Sequence, residues 1–521
     1  MIGTIWGAAI VGAVVSLAWL GWRRGGPVAV LVVLTLHALS QGHHVDDAGI
    51  VYAFAENLAA GHGLVPQPGA PVVEGVSDPL WLALLVPGAF FGEVSAWASL
   101  LQAGLMIFVI LGVGRLASRV VGPDDPRAAV GVAQLATATS GVVFAWTTAG
   151  LEGALMAALL VGVAWAAVAR AGVLVLAGVM LCAWVRPEGA VAGLGVALAG
   201  IALHKDWKAV VYPAVGAAVG LFFLHGVRFG LLGTLAPTSA LAKLGTPSWR
   251  YVLAGLVYAG TASVLAGLPA LVLGWVRTDA PRRWLLPVIL ALGTGLLLAV
   301  ASGGDWMRHG RYLTPYLPVV FALGVPPLVA GWREHPLCRV GLVLAVATGV
   351  GVAVDAAWRP TVPVDHGLRR GALYAEVGRS ACGETSVATP DIGGVIWRYP
   401  QVRVLDFAGL IDQDAAERRH APGYWPDRLA AERPAVLDLH DSWAARTGLD
   451  DAVLEQLGYR ILARREGVSE VGDPTLWIRA DCAGALSPVA EAMVGQWSRV
   501  GSGAAWELGS KGAGSGDTTG P

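Results

Sequence analysis

Long apolar runs separated by short polar loops fill the first two thirds of the chain. They lie near residues 3–21, 26–42, 95–117, 128–146, 151–169, 171–186, 189–203, 209–227, 250–275, 284–301, 312–331 and 338–357. Each is as long, or nearly as long, as the ~20-residue helix that crosses a bilayer. A further run, 79–91, is shorter and contains Pro87-Gly88, which suits a juxtamembrane or re-entrant piece. The pattern predicts a polytopic α-helical membrane region of about 11–12 spans over residues 1–357. After Trp358 the period changes. Short β-rich runs appear at 385–389, 402–407, 435–440, 459–464 and 475–479, with helical stretches such as 426–432 and 450–457 between them. That alternation predicts a small C-terminal α/β domain over residues 358–499. The polar, glycine-rich segment 500–521 reads as a disordered tail.

Composition agrees. The chain of 521 residues is 55% hydrophobic and 14% charged, with 70 Gly and 21 Trp. Soluble proteins average about 25% charged residues. The net charge of −1 includes no basic patch for nucleic acid. The start, MIGTIW, has no basic region, and Arg23-Arg24 follows the first run. This predicts a retained span, with Met1 outside, rather than a cleavable signal. If the spans alternate, Arg23-Arg24, Arg115, Arg119, Arg127, Arg170, Lys205, Lys208, Arg277, Arg282, Arg283, Arg333 and Arg339 all fall on one side. The positive-inside rule makes that side cytoplasmic. The polar loops and the C-terminal domain then share the outer face of the cytoplasmic membrane.

The first large outer loop, residues 43–81, reads HHVDDAGIVYAFAENLAAGHGLVPQPGAPVVEGVSDPLW. Ile50, Phe54 and Leu58 recur at helical spacing after Asp46-Asp47, and Gly61 and Gly63 end the helix. Both carboxylates therefore sit at a helix N-terminus, where negative charge is favoured. Glu74 lies later in the same loop. An acidic pair at the mouth of an apolar segment points to a site rather than a cap.

The other outer loops carry further candidates. Glu152 in Gly150-Leu151-Glu152 serves as a helix cap or supports the site. Arg186-Pro187-Glu188-Gly189 is either a surface turn or a fixed guanidinium for phosphate, with Glu188 beside it. Lys243 is a point charge for a phosphate or a snorkelling lysine. In Gly303-Gly304-Asp305-Trp306-Met307 the glycines permit close backbone approach. There Asp305 could bind metal or a sugar hydroxyl, Trp306 could stack on a sugar or anchor at the interface, and Arg311 could bind phosphate. Asp406 and Asp412 flank a turn at a predicted strand end, where α/β domains bind ligands.

Several of these segments resemble the GT-C glycosyltransferases, polytopic membrane enzymes that use polyprenyl-phosphate sugars. The segments are Asp46-Asp47-Ala48, Asn57-Leu58-Ala59 with Gly61-His62-Gly63-Leu64-Val65, Glu74-Gly75, and Pro79-Leu80-Trp81, with Gly150-Leu151-Glu152, Arg186-Pro187-Glu188-Gly189, Gly303–Met307 and the 406–412 turn. The pattern is similar to that of the mycobacterial terminal arabinofuranosyltransferase family. That family has Arg where this chain has Ala53, and aromatic-Thr-Asn at Val76-Ser77-Asp78. These departures concern the sugar more than the reaction class. The resemblance implies an inverting transfer from a polyprenyl phosphate to an extracytoplasmic glycan, lipid or protein acceptor. Asp47 matches the family's catalytic base, with Asp46 beside it. Arg186, Lys243 and Arg311 would hold the phosphate. Glu74, Glu152, Glu188, Asp305, Trp306, Asp406 and Asp412 would serve the acceptor or support the site. A divalent cation, Mg or Mn, could sit on Asp46, Glu74 or Asp305.

No Walker loop, dinucleotide fingerprint or Cys/His zinc spacing occurs, so no nucleotide cofactor is expected. Cys182 and Cys338 should be free. Cys382 and Cys482 bracket the domain on the oxidising side and should pair. The alternative function is a transporter or flippase of lipid-linked sugars. It would call for paired halves and broken helices with midplane charges.

Overall fold

The structure is a computed structural model. It describes residues 25–39, 44–120, 126–238, 241, 249–275, 285–305, 307–332, 334–358, 361–465, 474–482 and 484–499. The first predicted span, His43, Lys243, Trp306 and the predicted disordered tail lie outside the described residues.

Among the described residues, fifteen α-helices precede the sheet-containing part. They are α1 (Gly25–Leu39), α2 (Asp46–Ala59), α3 (Pro79–Phe90), α4 (Val94–Val120), α5 (Pro126–Thr139), α6 (Gly141–Thr147), α7 (Gly153–Val168), α8 (Gly172–Val185), α9 (Gly189–His204), α10 (Val211–Leu232), α11 (Trp249–Leu265), α12 (Leu268–Trp275), α13 (Leu285–Ala301), α14 (Leu317–Ala330) and α15 (Pro336–Trp358). Three helices among the described residues are long and apolar enough to cross a membrane: Val94–Val120, Trp207–Leu232 and Pro336–Ala357. The pair α5–α6 would form a fourth span, bent by 56°. Seven others are apolar and shorter. Their outer surfaces carry Leu31, Phe90, Leu100, Phe108, Phe222, Leu231, Leu256 and Leu297, each more than 40% exposed. Large apolar side chains around a whole bundle mark a surface that faces lipid rather than water. The chain is a multi-pass membrane protein.

Beyond the bundle, α16 (Val364–Val377) leads into a five-stranded sheet. Its strands are β1 (Ser386–Thr389), β2 (Arg403–Asp406), β3 (Val436–His440), β4 (Tyr459–Arg464) and β5 (Pro474–Arg479), in the order β2-β1-β3-β5-β4. They lie where the sequence alternation placed them. The β2-β1-β3 half is parallel, and β5 and β4 add antiparallel. Alternate residues feed two cores: Val436, Leu476 and Ile478 on one face, Leu437, Leu439 and Trp477 on the other. The helices around the sheet are α17 (Gly393–Arg398), α18 (Gln413–Arg418), α19 (Tyr424–Glu432), α20 (Asp441–Thr447), α21 (Asp451–Gln456) and α22 (Pro488–Arg499).

Cys382 and Cys482 are joined across 100 residues of sequence, with Cα atoms 4.5 Å apart. Cys182 and Cys338 are free and buried. The link closes a loop containing the whole sheet. Cys382→Ser is expected to cost about 2–5 kcal/mol of the sheet's stability. Thermal unfolding with and without reductant checks this: reductant should lower the wild-type transition and leave that of the variant unchanged.

Candidate active site

The helix α2 starts within a knot of backbone contacts. Val45 N–H donates to Ala149 O (3.1 Å), Asp46 N–H to Val362 O (2.9 Å), and Val364 N–H to His44 O (2.7 Å). His44 is buried between Tyr52, whose hydroxyl lies 2.7 Å from Nδ1, and Ser99, 3.0 Å from Nε2. The first loop, the turn before α7 and the segment before α16 thus fix the position of Asp46 and Asp47.

The two acids have different surroundings. Asp46 is buried, and its carboxylate accepts N–H bonds from Gly393 (2.8 Å) and Gly394 (2.9 Å) at the start of α17. It does not cap its own helix. The junction is close because glycines line it: a Cβ on Gly49 would lie 2.5 Å from the Gly393 carbonyl carbon. Burial, then the charge of Asp391, push Asp46 up to about 7 against the pull of the two N–H groups. Its ordinary value is 3.8, so this contribution to stability is full below about pH 4 and is lost as pH rises through about 7. Asp46→Asn removes the titration. The difference in melting temperature between wild type and Asp46→Asn should therefore move against wild type between about pH 4 and 7 and stay level above pH 8. A difference independent of pH would contradict this.

Asp47 is half-buried, next in the same turn. Among the described residues it has neither hydrogen bond nor ion pair, yet its charge acts on Arg311.

Two of the three candidate cations meet, while Lys243 lies outside the described residues. Arg186 and Arg311 line one cleft of about 590 Å³ together with Glu152, Glu188, Trp146, Tyr312 and Tyr316. Arg186 pairs with Glu152 and lies 3.4 Å from Glu188. Its Nε is buried and has no hydrogen-bond partner. Arg311 lies 2.8 Å from Asp305 and stacks over Trp146 at 5.6 Å. The Arg311 loop is anchored by Trp146, which donates to Arg308 O, and by Thr314, which donates to Val142 O. Gly304 has φ +85°, and a Cβ there would lie 2.8 Å from Tyr258, so the loop needs its glycine.

Sequence reading missed two members. Asp78 is buried beside Glu152. Burial, then the Glu152 charge, push Asp78 well above the usual carboxylate range. Burial also raises Glu152, but Arg186 and then Arg311 outweigh it and hold Glu152 down. Of the two, Asp78 is therefore the group that holds a proton more readily. The motif around Ser77-Asp78-Pro79 was visible, but its partner Glu152 is distant in sequence. Arg228, at the end of α10, grips Glu74 at 2.5 and 2.8 Å and is 3% exposed.

These partners revise several expectations. Both Glu74 oxygens are taken by Arg228, both Asp46 oxygens by α17, and Asp305 by Arg311. Among the described residues no three His, Cys, Asp or Glu side chains gather to hold a metal. Each of the acids expected to hold Mg or Mn has a cationic or N–H partner here. Glu152 and Glu188 sit at helix starts without capping them. Asp406 binds the N–H groups of Ala408, Leu410 and Ile411, and Asp412 caps α18 and bonds Arg428 (2.8 Å). Those two acids shape a turn rather than face the cleft.

No family model matches the chain, and no curated protein sequence does. Solved structures do match in shape. ArnT from Cupriavidus metallidurans bound to undecaprenyl phosphate aligns with 14% identity and TM-score 0.52, over 88% of this chain and 98% of that one. The oligosaccharyltransferase AglB from Archaeoglobus fulgidus, in complex with an inhibitory peptide and a dolichol-phosphate, aligns with 11% identity and TM-score 0.51, over 91% and 75%. The arabinofuranosyltransferase AftD from Mycobacteria also matches, with 15% identity and TM-score 0.42 over 88% and 41%, a score that bears on neither sugar nor acceptor. At these identities the likeness is one of fold: the chain shares the fold of ArnT and AglB.

Proposed function

We propose that the chain is an inverting glycosyltransferase that takes its sugar from a polyprenyl phosphate and works at the extracytoplasmic face of the cytoplasmic membrane. One observation carries the reading. Among the described residues, Asp47 is the one carboxylate of the cluster left without a partner, and it stands near Arg311 of the two-arginine cleft. Asp46, Glu74, Asp78, Glu152, Glu188 and Asp305 are each engaged. An unengaged carboxylate can accept a proton, and two guanidinium groups can hold a phosphate.

The acceptor hydroxyl gives its proton to Asp47 as its oxygen bonds to the anomeric carbon. The bond from that carbon to the phosphate oxygen breaks, and the electron pair leaves with the polyprenyl phosphate. Arg186 and Arg311 offset the charge that grows on the phosphate, an interaction strongest in the transition state. Attack from the side opposite the leaving group inverts the anomeric carbon. Lys243 is a further candidate phosphate ligand and Trp306 a candidate sugar contact. The lipid phosphates named with ArnT and AglB support a lipid-linked donor.

Two experiments test the reading. A reporter fused after Arg283 should lie inside and one after Val500 outside; finding both on one side would contradict the sidedness. Mass spectrometry of envelope glycans with and without the gene should show one sugar missing. The same loss with lipid-linked sugar accumulated on the inner leaflet would favour a flippase instead.

A further inference from the structure

A second cleft lies in the C-terminal part, between α16 and α22, away from the two-arginine cleft. It has a volume of about 200 Å³, and its polar lining is Arg369, Arg370, Tyr399, Gln496 and Trp497. Among the described residues no carboxylate lines it.

The wall behind Trp497 is unusual. Arg465 is 7% exposed and lies over the Trp497 ring at 4.4 Å. Its Nε is buried and has no hydrogen-bond partner. Trp497 is fully buried, and its Nε1 also lacks a partner. Two stacked side chains thus each hold an unsatisfied donor beside one cavity. Buried donors are nearly always paired, so each exception calls for an explanation.

The charge balance gives the same sign. Arg370 pairs with Asp391 and lies 3.8 Å from Asp438. Asp438 also accepts from the Tyr374 hydroxyl at 2.5 Å. Asp391 and Asp438 are thereby taken up. Arg465 forms no ion pair among the described residues, and a buried guanidinium without a counter-charge is costly. His366, on α16, is pushed down to about 4 by burial and then by Arg370, Arg369 and Arg465, as a positive local field requires.

We infer that this cleft binds an oxyanion, a carboxylate or phosphate group carried by a ligand of sugar size, with Arg369, Arg370 and Gln496 at the rim and Arg465 supplying charge from behind Trp497. Aromatic side chains beside guanidinium groups suit an acidic sugar, and a phosphorylated one shares the same chemistry. The site goes beyond the transfer reaction and would act on whichever substrate or envelope polymer bears the anion.

Hydrogen exchange of the full-length protein in detergent, read peptide by peptide, tests it. Separate arms contain inorganic phosphate and glucuronate. Either probe should slow exchange in peptides covering 364–377 and 488–499, and the responding arm identifies phosphate or carboxylate as the preferred group. Peptides around Arg186 and Arg311 report the membrane cleft independently. Arg465→Gln should raise the half-effective concentration at least tenfold. Arg369→Gln, at a partly exposed position, should do likewise. Absence of protection in both arms, or protection unaltered by Arg369→Gln, would overturn the inference.

Discussion

Asp47→Asn is expected to slow sugar transfer by about 10²–10⁴-fold, the usual worth of a general base. The substitution keeps size and polarity and removes the proton acceptor. The fold should survive, because among the described residues Asp47 holds no partner that the change would strip. Donor binding should change little, since Arg186 and Arg311 hold the phosphate in the proposed arrangement. The effect therefore belongs in the chemical step, and single-turnover transfer is the measurement to make. A correctly folded variant within about twofold of wild type would move the base elsewhere. Asp46→Asn should cost far less, because Asp46 is turned to α17.

Arg186→Leu has the second large effect, and it falls on stability as well as on turnover. Arg186 faces Glu152 and Glu188 in a largely buried group, with the Glu152 side chain 8% exposed. Removing the cation leaves a buried carboxylate without compensation, which typically costs about 3–5 kcal/mol. Thermal unfolding in detergent should show the loss. Adding Glu152→Gln removes the stranded charge and should restore most of the stability. It should not restore activity, because the phosphate has still lost a guanidinium. Recovery of both together would mean that Arg186 is purely structural.

The parts of this protein that were legible in its sequence are those set by local pattern. The five strands follow from alternation, and α2 from the spacing of Ile50, Phe54 and Leu58 with glycines at its end. Charge placement predicts that the motif loops share one face, and in the fold Glu152, Arg186, Asp305 and Arg311 lie close to one another. The partners were not legible, because they are remote. Glu74 meets Arg228 154 residues away, and Asp46 meets Gly393 347 residues away. A dense set of acids in the loops therefore read as a cation site. In the fold those acids are divided among arginines and a helix start, and Asp47 alone of them is left unpaired among the described residues.

The central claim is that this protein transfers sugar rather than moving its carrier. The direct measurement is release of free polyprenyl phosphate by purified protein in detergent, with a polyprenyl-phosphate sugar and an envelope acceptor present. Detergent removes the two leaflets, so a flippase has nothing to do. We expect release in step with glycosylated acceptor, and loss of both in Asp47→Asn. Intact donor after prolonged incubation with active wild-type protein and its acceptor would contradict the account.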